Sequence, residues 1–104
     1  RVLFRSSSDS ISRLGSNDFR SMIGSTFVFS GSRSAHTATL AKVTDFASGS
    51  KTGESFGLVF ETNEKRVVEG IFNIFSQQTG NLELFCTAGK IGRRNALIAT
   101  INRL

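Results

Sequence analysis

Short apolar runs that alternate in and out, punctuated every few residues by Gly and Ser, constrain this chain more than any other feature. "SFGLVFE" is the clearest run: Phe56, Leu58 and Phe60 fall on one side, Gly57 and Val59 on the other. A period of two is the signature of a strand with one face toward a core. "STFVFS" repeats it with Phe27 and Phe29. "VVEGIFNIFSQ" opposes Phe72 and Ile74 to Ile71 and Phe75, so both faces are apolar and the strand is expected to be central or covered on both sides. "LELFCTA" sets Leu82, Leu84 and Cys86 against Phe85, and "ALIATINRL" sets Ile98 against Leu97, Ala99 and Ile101. "TATLAKVTDF" alternates less cleanly, because Leu40 and Val43 are out of phase. A bulge near Ala41 or Lys42 reconciles them.

The segments between these runs read as turns. "SGSRSAH", "ASGSKTGES", "NEK", "QTGN" and "GKIGRRN" are rich in Gly, Ser and Asn or in charge. About six strands at roughly 8–12-residue spacing predict an all-β chain with minor α content, a single small antiparallel sandwich or barrel. A short helix is predicted before the first strand. Ser16 or Asn17 caps it, Asp18 suits its first turn, Phe19, Met22 and Ile23 face the core, and Gly24 ends it. Residues 17–104 form the β-domain, and residues 1–16 are a Ser-rich arm.

The core residue of choice is Phe. The chain of 104 residues has ten Phe and neither Trp nor Tyr, so its aromatic rings carry no polar group that needs a partner. There is also no Pro, which leaves every strand its full set of N–H donors but removes one guard against edge-to-edge pairing.

Chemical signatures are missing where catalysis would need them. The one cysteine, Cys86, lies inside an apolar run, and the one histidine, His36, lies in a polar stretch far from it and is expected on the surface. One His and one Cys do not make a metal set. Glu61, Glu64 and Glu69 read as solvated carboxylates around a turn. "ASGSKTG" lacks the spacing of a phosphate loop, and no helix pattern follows it. The expectation is a protein that is not an enzyme and that needs no cofactor.

The residues in order — Phe19, "IGSTF", Leu40, Val43, "ESFGLVF", "EGIFN", "TGNLELF", a Gly-flanked loop and a terminal "INR" — resemble a family of small bacterial proteins known only as a domain of unknown function. The resemblance covers residues 19–103 and consists of core positions and turns, so it implies a fold. That family has no established catalytic residues, and none is carried over.

Two features suggest partners. The net charge is +5, which favours an anionic partner, and "GKIGRRN" is the tightest basic cluster, with Lys90, Arg93 and Arg94 as candidate anion-binding residues. Nucleic acid is disfavoured, because the Phe residues occupy core positions instead of interleaving with the cations. At the other end, "RVLF" is an apolar stretch on a polar leash. The stretch has three readings: it packs back on its own domain, it is a leftover of processing, or Val2, Leu3 and Phe4 are an assembly strand that adds to the sheet edge of another copy and builds a filament. The leading expectation is a self-assembling structural module, outside the cell after removal of a leader. The alternative is a monomeric module that binds an anionic ligand, a polyanion or nucleic acid, through the basic loop.

Overall fold

The computed structural model describes residues 14–31, 35–46 and 55–102. A short helix, α1 (Ser16–Arg20), precedes six strands: β1 (Thr26–Ser30), β2 (Ala35–Asp45), β3 (Ser55–Thr62), β4 (Gly70–Ser76), β5 (Gly80–Ile91) and β6 (Arg94–Asn102). The strands close into an antiparallel barrel in the order β1-β2-β3-β6-β5-β4. Two three-strand meanders are thus joined along two seams. The β3–β6 seam runs through eight residue pairs, from Ser55↔Asn102 to Thr62↔Asn95. The β1–β4 seam has three: Val28↔Phe75, Phe29↔Ile74 and Ser30↔Asn73. Closure answers the edge problem that a Pro-free chain raises, since a closed barrel pairs its strands on both sides.

The alternating runs face where the sequence expects. Phe27, Phe29, Phe56, Leu58, Phe60, Ile74, Leu82, Cys86, Leu97 and Ala99 are fully or almost fully buried. Their centre is a group of aromatic edges: Phe60 meets Phe29 at 4.9 Å and Phe27 at 5.3 Å between ring centroids, both edge to face. Phe72 meets Phe29 at 5.7 Å. Edge-to-face contact sets the positive rim of one ring on the negative face of the next. The irregular strand carries the expected bulge: between Leu40 and Lys42 the β2–β3 register shifts, so Leu40 faces in opposite Phe60 and Val43 pairs with Leu58.

Helix α1 closes one side of the barrel. Its cap is Gly15, whose backbone N–H donates to the Asp18 carboxylate at 2.8 Å, in place of the expected Ser16 or Asn17. Phe19 and Met22 are buried as expected, whereas Ile23, in the turn beyond the helix, is exposed. Arg20 pairs with Asp45 of β2 and accordingly holds that carboxyl below the usual range, with the Ser16 side chain adding to the effect. Leu14 packs against the core and Ser16 is buried.

Three further expectations are corrected. His36 is not a surface loop residue: it lies in β2, half-buried, with its ring stacked on Phe29 at 5.6 Å. Its Nδ1 is buried without a hydrogen-bond partner. "GKIGRRN" is not a loop. Strand β5 continues to Ile91, and only Gly92 and Arg93 make the turn into β6. Gly92 has φ +61° and Arg93 does not share it, which suits a two-residue hairpin with Gly at its first central position. Gly89 keeps the strand going in another way. The Ile98 side chain lies across it, and a Cβ there would collide with Ile98 Cδ1. The third correction concerns β4, whose second face is open.

Candidate functional site

Strand β4 is apolar on both sides, and only one side has a cover. Its inward residues Phe72 and Ile74 are buried. Outward, Ile71 is 64% exposed and Phe75 46%. The reason is positional: β4 has neighbours on either edge of its ladder, but no described element packs on its outer face. The neighbours extend the same surface. Phe85 of β5, 57% exposed, is directly opposite Ile71, and Val28 of β1, 42% exposed, is directly opposite Phe75. Between these two apolar pairs sits a polar one, Asn73 opposite Glu83. Neither side chain has a hydrogen-bond or ionic partner among the described residues. The outer wall of β1, β4 and β5 is therefore two apolar pads with a donor and an acceptor between them.

A second region lies where β5 turns into β6. The β3–β4 connection (63–69) is held there by Asn95, whose side-chain amide donates to the Glu64 carbonyl at 2.9 Å and the Lys65 carbonyl at 3.1 Å. The Glu69 carboxylate accepts from the Ala88 backbone N–H at 3.3 Å. These contacts bring Lys65 and Arg66 to the hairpin that carries Lys90 and Arg93, and all four side chains are exposed. The sequence-predicted trio is not a unit. Lys90 and Arg93 share the tip, but Arg94 turns away, with Nε 2.8 Å from Glu61 Oε2 and Nη1 donating to Asn63 Oδ1 at 3.2 Å. Lys65 and Arg66 were missed because they lie far from Lys90 in sequence, and nothing local signals the Asn95 tether. The candidate assembly residues Val2, Leu3 and Phe4 lie outside the described residues.

Beside Arg94 is a shallow polar cleft of about 190 Å³, lined by Thr26, Thr37, Ala38, Thr39, Glu61, Asn63 and Arg94. His36 is packed among Phe rings, 6.0 Å from Phe72 as well as stacked on Phe29. Among the described residues no three His, Cys, Asp or Glu side chains group as a metal site would require.

Cys86 is buried, and desolvation pushes its thiol up to about 12. The thiolate is the reactive form, so the native thiol is inert. Native protein is expected to resist an aromatic disulfide reagent at pH 8 over hours and to react fully once unfolded in urea; fast labelling of the native state would contradict this. The thiol also links stability to pH. The unfolded group ionises from about pH 9 and the folded one only near 12. Its contribution is therefore complete below the first value and lost as pH rises through that window.

A family model, a domain of unknown function (DUF6916), matches residues 14–96, from the residue before the α1 cap to the early part of β6. The chain belongs to the DUF6916 family. No curated protein and no solved structure matches the chain. The matched span of this DUF6916 member includes α1, all of β1 to β5, the open outer wall and the tethered 63–69 connection. No helix among the described residues is long and apolar enough to cross a membrane.

Proposed function

We propose that this DUF6916 chain is a non-enzymatic structural module that associates with copies of itself through the outer wall of β1, β4 and β5. The observation that carries the reading is the pair of exposed apolar pads, Val28 with Phe75 and Ile71 with Phe85. Exposed side chains of these sizes and exposures present roughly 400 Å² of apolar surface, at the level that marks interaction sites on small proteins. A standard interface buries about 800 Å² per partner, of which about 55–65% is apolar, or about 450–500 Å². The pads supply most of that. The wall is also self-complementary. In a twofold pair the Asn73 amide of one copy can donate to Glu83 of the other, and the symmetry makes the contact twice.

Closure of the barrel narrows the other route to assembly. A strand added at an edge needs free backbone donors and acceptors. On the β1 side of β4, only Gly70 to Phe72 and Ser76 have no described partner. Face packing therefore carries the association, and an isologous pair closes on itself. Growth into a filament requires a second contact, for which the arm bearing Val2, Leu3 and Phe4 is the candidate.

The test is the double variant Phe75→Glu/Phe85→Glu compared with the parent by sedimentation velocity over a range of concentration. The parent is expected to form dimers or larger species as concentration rises, and the variant to stay a single chain. A parent that sediments as one chain at every concentration removes the reading.

A further inference from the structure

The basic end of the barrel is a separate surface, and it does not depend on self-association. We propose that Lys65, Arg66, Lys90 and Arg93 together form a charge-read site for an extended anionic polysaccharide, with its sulfate or phosphate groups as the contacted atoms. Four observations lead there. The four cations come from two segments that the Asn95 side chain ties together through the Glu64 and Lys65 carbonyls. All four are exposed, and none has an ionic partner among the described residues. Of the carboxylates nearby, Glu61 is paired with Arg94, which leaves Glu64 and Glu69 against the four cations. Cations therefore outnumber carboxylates at this end.

The shape decides between a small anion and a polymer. The cations stand exposed on the hairpin and on the connection beside it. The polar cleft beside Arg94 is lined by none of the four, and the Arg94 guanidinium is already held. Spread, exposed charges suit a chain with repeated oxyanions, because each contact releases a counterion and the contacts add. The surroundings decide the kind of polymer. Recognition of single-stranded nucleic acid uses aromatic faces on which bases stack. The cross-strand partner of Lys90 is Asn95 and not an aromatic residue, and Lys65, Arg66 and Arg93 lie outside the strands. Helix α1 packs against β2, so among the described residues no helix stands free to enter a groove.

The probe is heparin, a sulfated polysaccharide, titrated at several salt concentrations beside duplex and single-stranded DNA of similar length. The variants are Lys65→Gln, Arg66→Gln, Lys90→Gln, Arg93→Gln and Arg94→Gln, with Lys42→Gln on the opposite side of the barrel as a charge-matched control. Each of the first four is expected to weaken heparin binding about three- to tenfold at ~0.1 M salt and to lower the salt slope by about one. Arg94→Gln and Lys42→Gln are expected to change affinity less than twofold. Far-ultraviolet circular dichroism of each variant confirms that the fold is retained. An equal loss with Lys42→Gln would mean that net charge alone binds and would overturn the site. Tighter binding of either DNA than of heparin at the same salt would overturn the ligand class. The site also separates cleanly from self-association. Binding here weakens with salt, whereas apolar pairing between like-charged copies does not.

Discussion

Phe60→Ala is expected to lower the free energy of unfolding by about 3–5 kcal/mol, the usual cost of emptying a ring-sized volume in a packed core. Phe60 is 1% exposed and sits at the centre of the ring cluster. It meets Phe27 and Phe29 of β1 edge to face, and on β3 it pairs with Leu97 across the long seam. Its loss removes contacts on three sides, and the barrel wall resists collapse into the space because its ladders fix the strand spacing. Small domains have about 5–15 kcal/mol in all, so the variant should be close to unfolded at modest denaturant. The chain has no Trp or Tyr, so urea unfolding is followed by circular dichroism. A lowered midpoint with an unchanged slope is the expected result. Phe46→Ala provides the contrast. That ring is exposed and lies over Gly57 on the outside of the barrel, and its removal should cost well under half as much. A loss below about 1 kcal/mol for Phe60→Ala would mean that the core is not organised around these rings.

The second large effect is on association. Phe75→Glu/Phe85→Glu should weaken it by at least about a hundredfold, or about 2.7 kcal/mol. Each substitution removes an apolar anchor from one pad and puts a carboxylate where the contact must exclude water, and aromatic anchors are where interface energy concentrates. Both side chains point outward from strands whose inner faces are unchanged, so stability of the single chain should move by less than about 1 kcal/mol. The combination separates an interface from a fold defect: a variant that dissociates because it unfolds would lose its circular dichroism as well.

How much of this was legible depends on what a period of two encodes. It encodes which residues share a face, and so Phe56, Leu58 and Phe60, Phe27 and Phe29, and Leu97 and Ala99 all point inward as read. The phase slip between Leu40 and Val43 was enough to place the bulge. Alternation does not say what covers the second face. Ile71 and Phe75 look like residues of a central strand, and only the ring order of the barrel shows that no described element packs outside β4. Glycine misled at "GKIGRRN", because Gly89 serves a close approach of Ile98 and not a turn. His36 looked polar and peripheral, yet β2 begins before it and its parity with Ala38 and Leu40 turns it toward the rings. Seam pairing and the Asn95 tether are long-range contacts, and no local signal announces them. The basic end was half legible for that reason, as Lys90 and Arg93 without Lys65 and Arg66.

The most direct test of the account is a cross-link at the centre of the wall. Asn73 is exposed between the two pads, and the inert Cys86 leaves an introduced thiol as the single reactive one among the described residues. Asn73→Cys, treated with a short bismaleimide, is compared with Lys42→Cys, which lies on the side of the barrel across from β5. The account predicts a covalent dimer from Asn73→Cys, lost when Phe75→Glu and Phe85→Glu are added, and little from Lys42→Cys. Equal cross-linking at both positions, or none at Asn73 in a sample that light scattering shows to be oligomeric, would contradict pairing through this face.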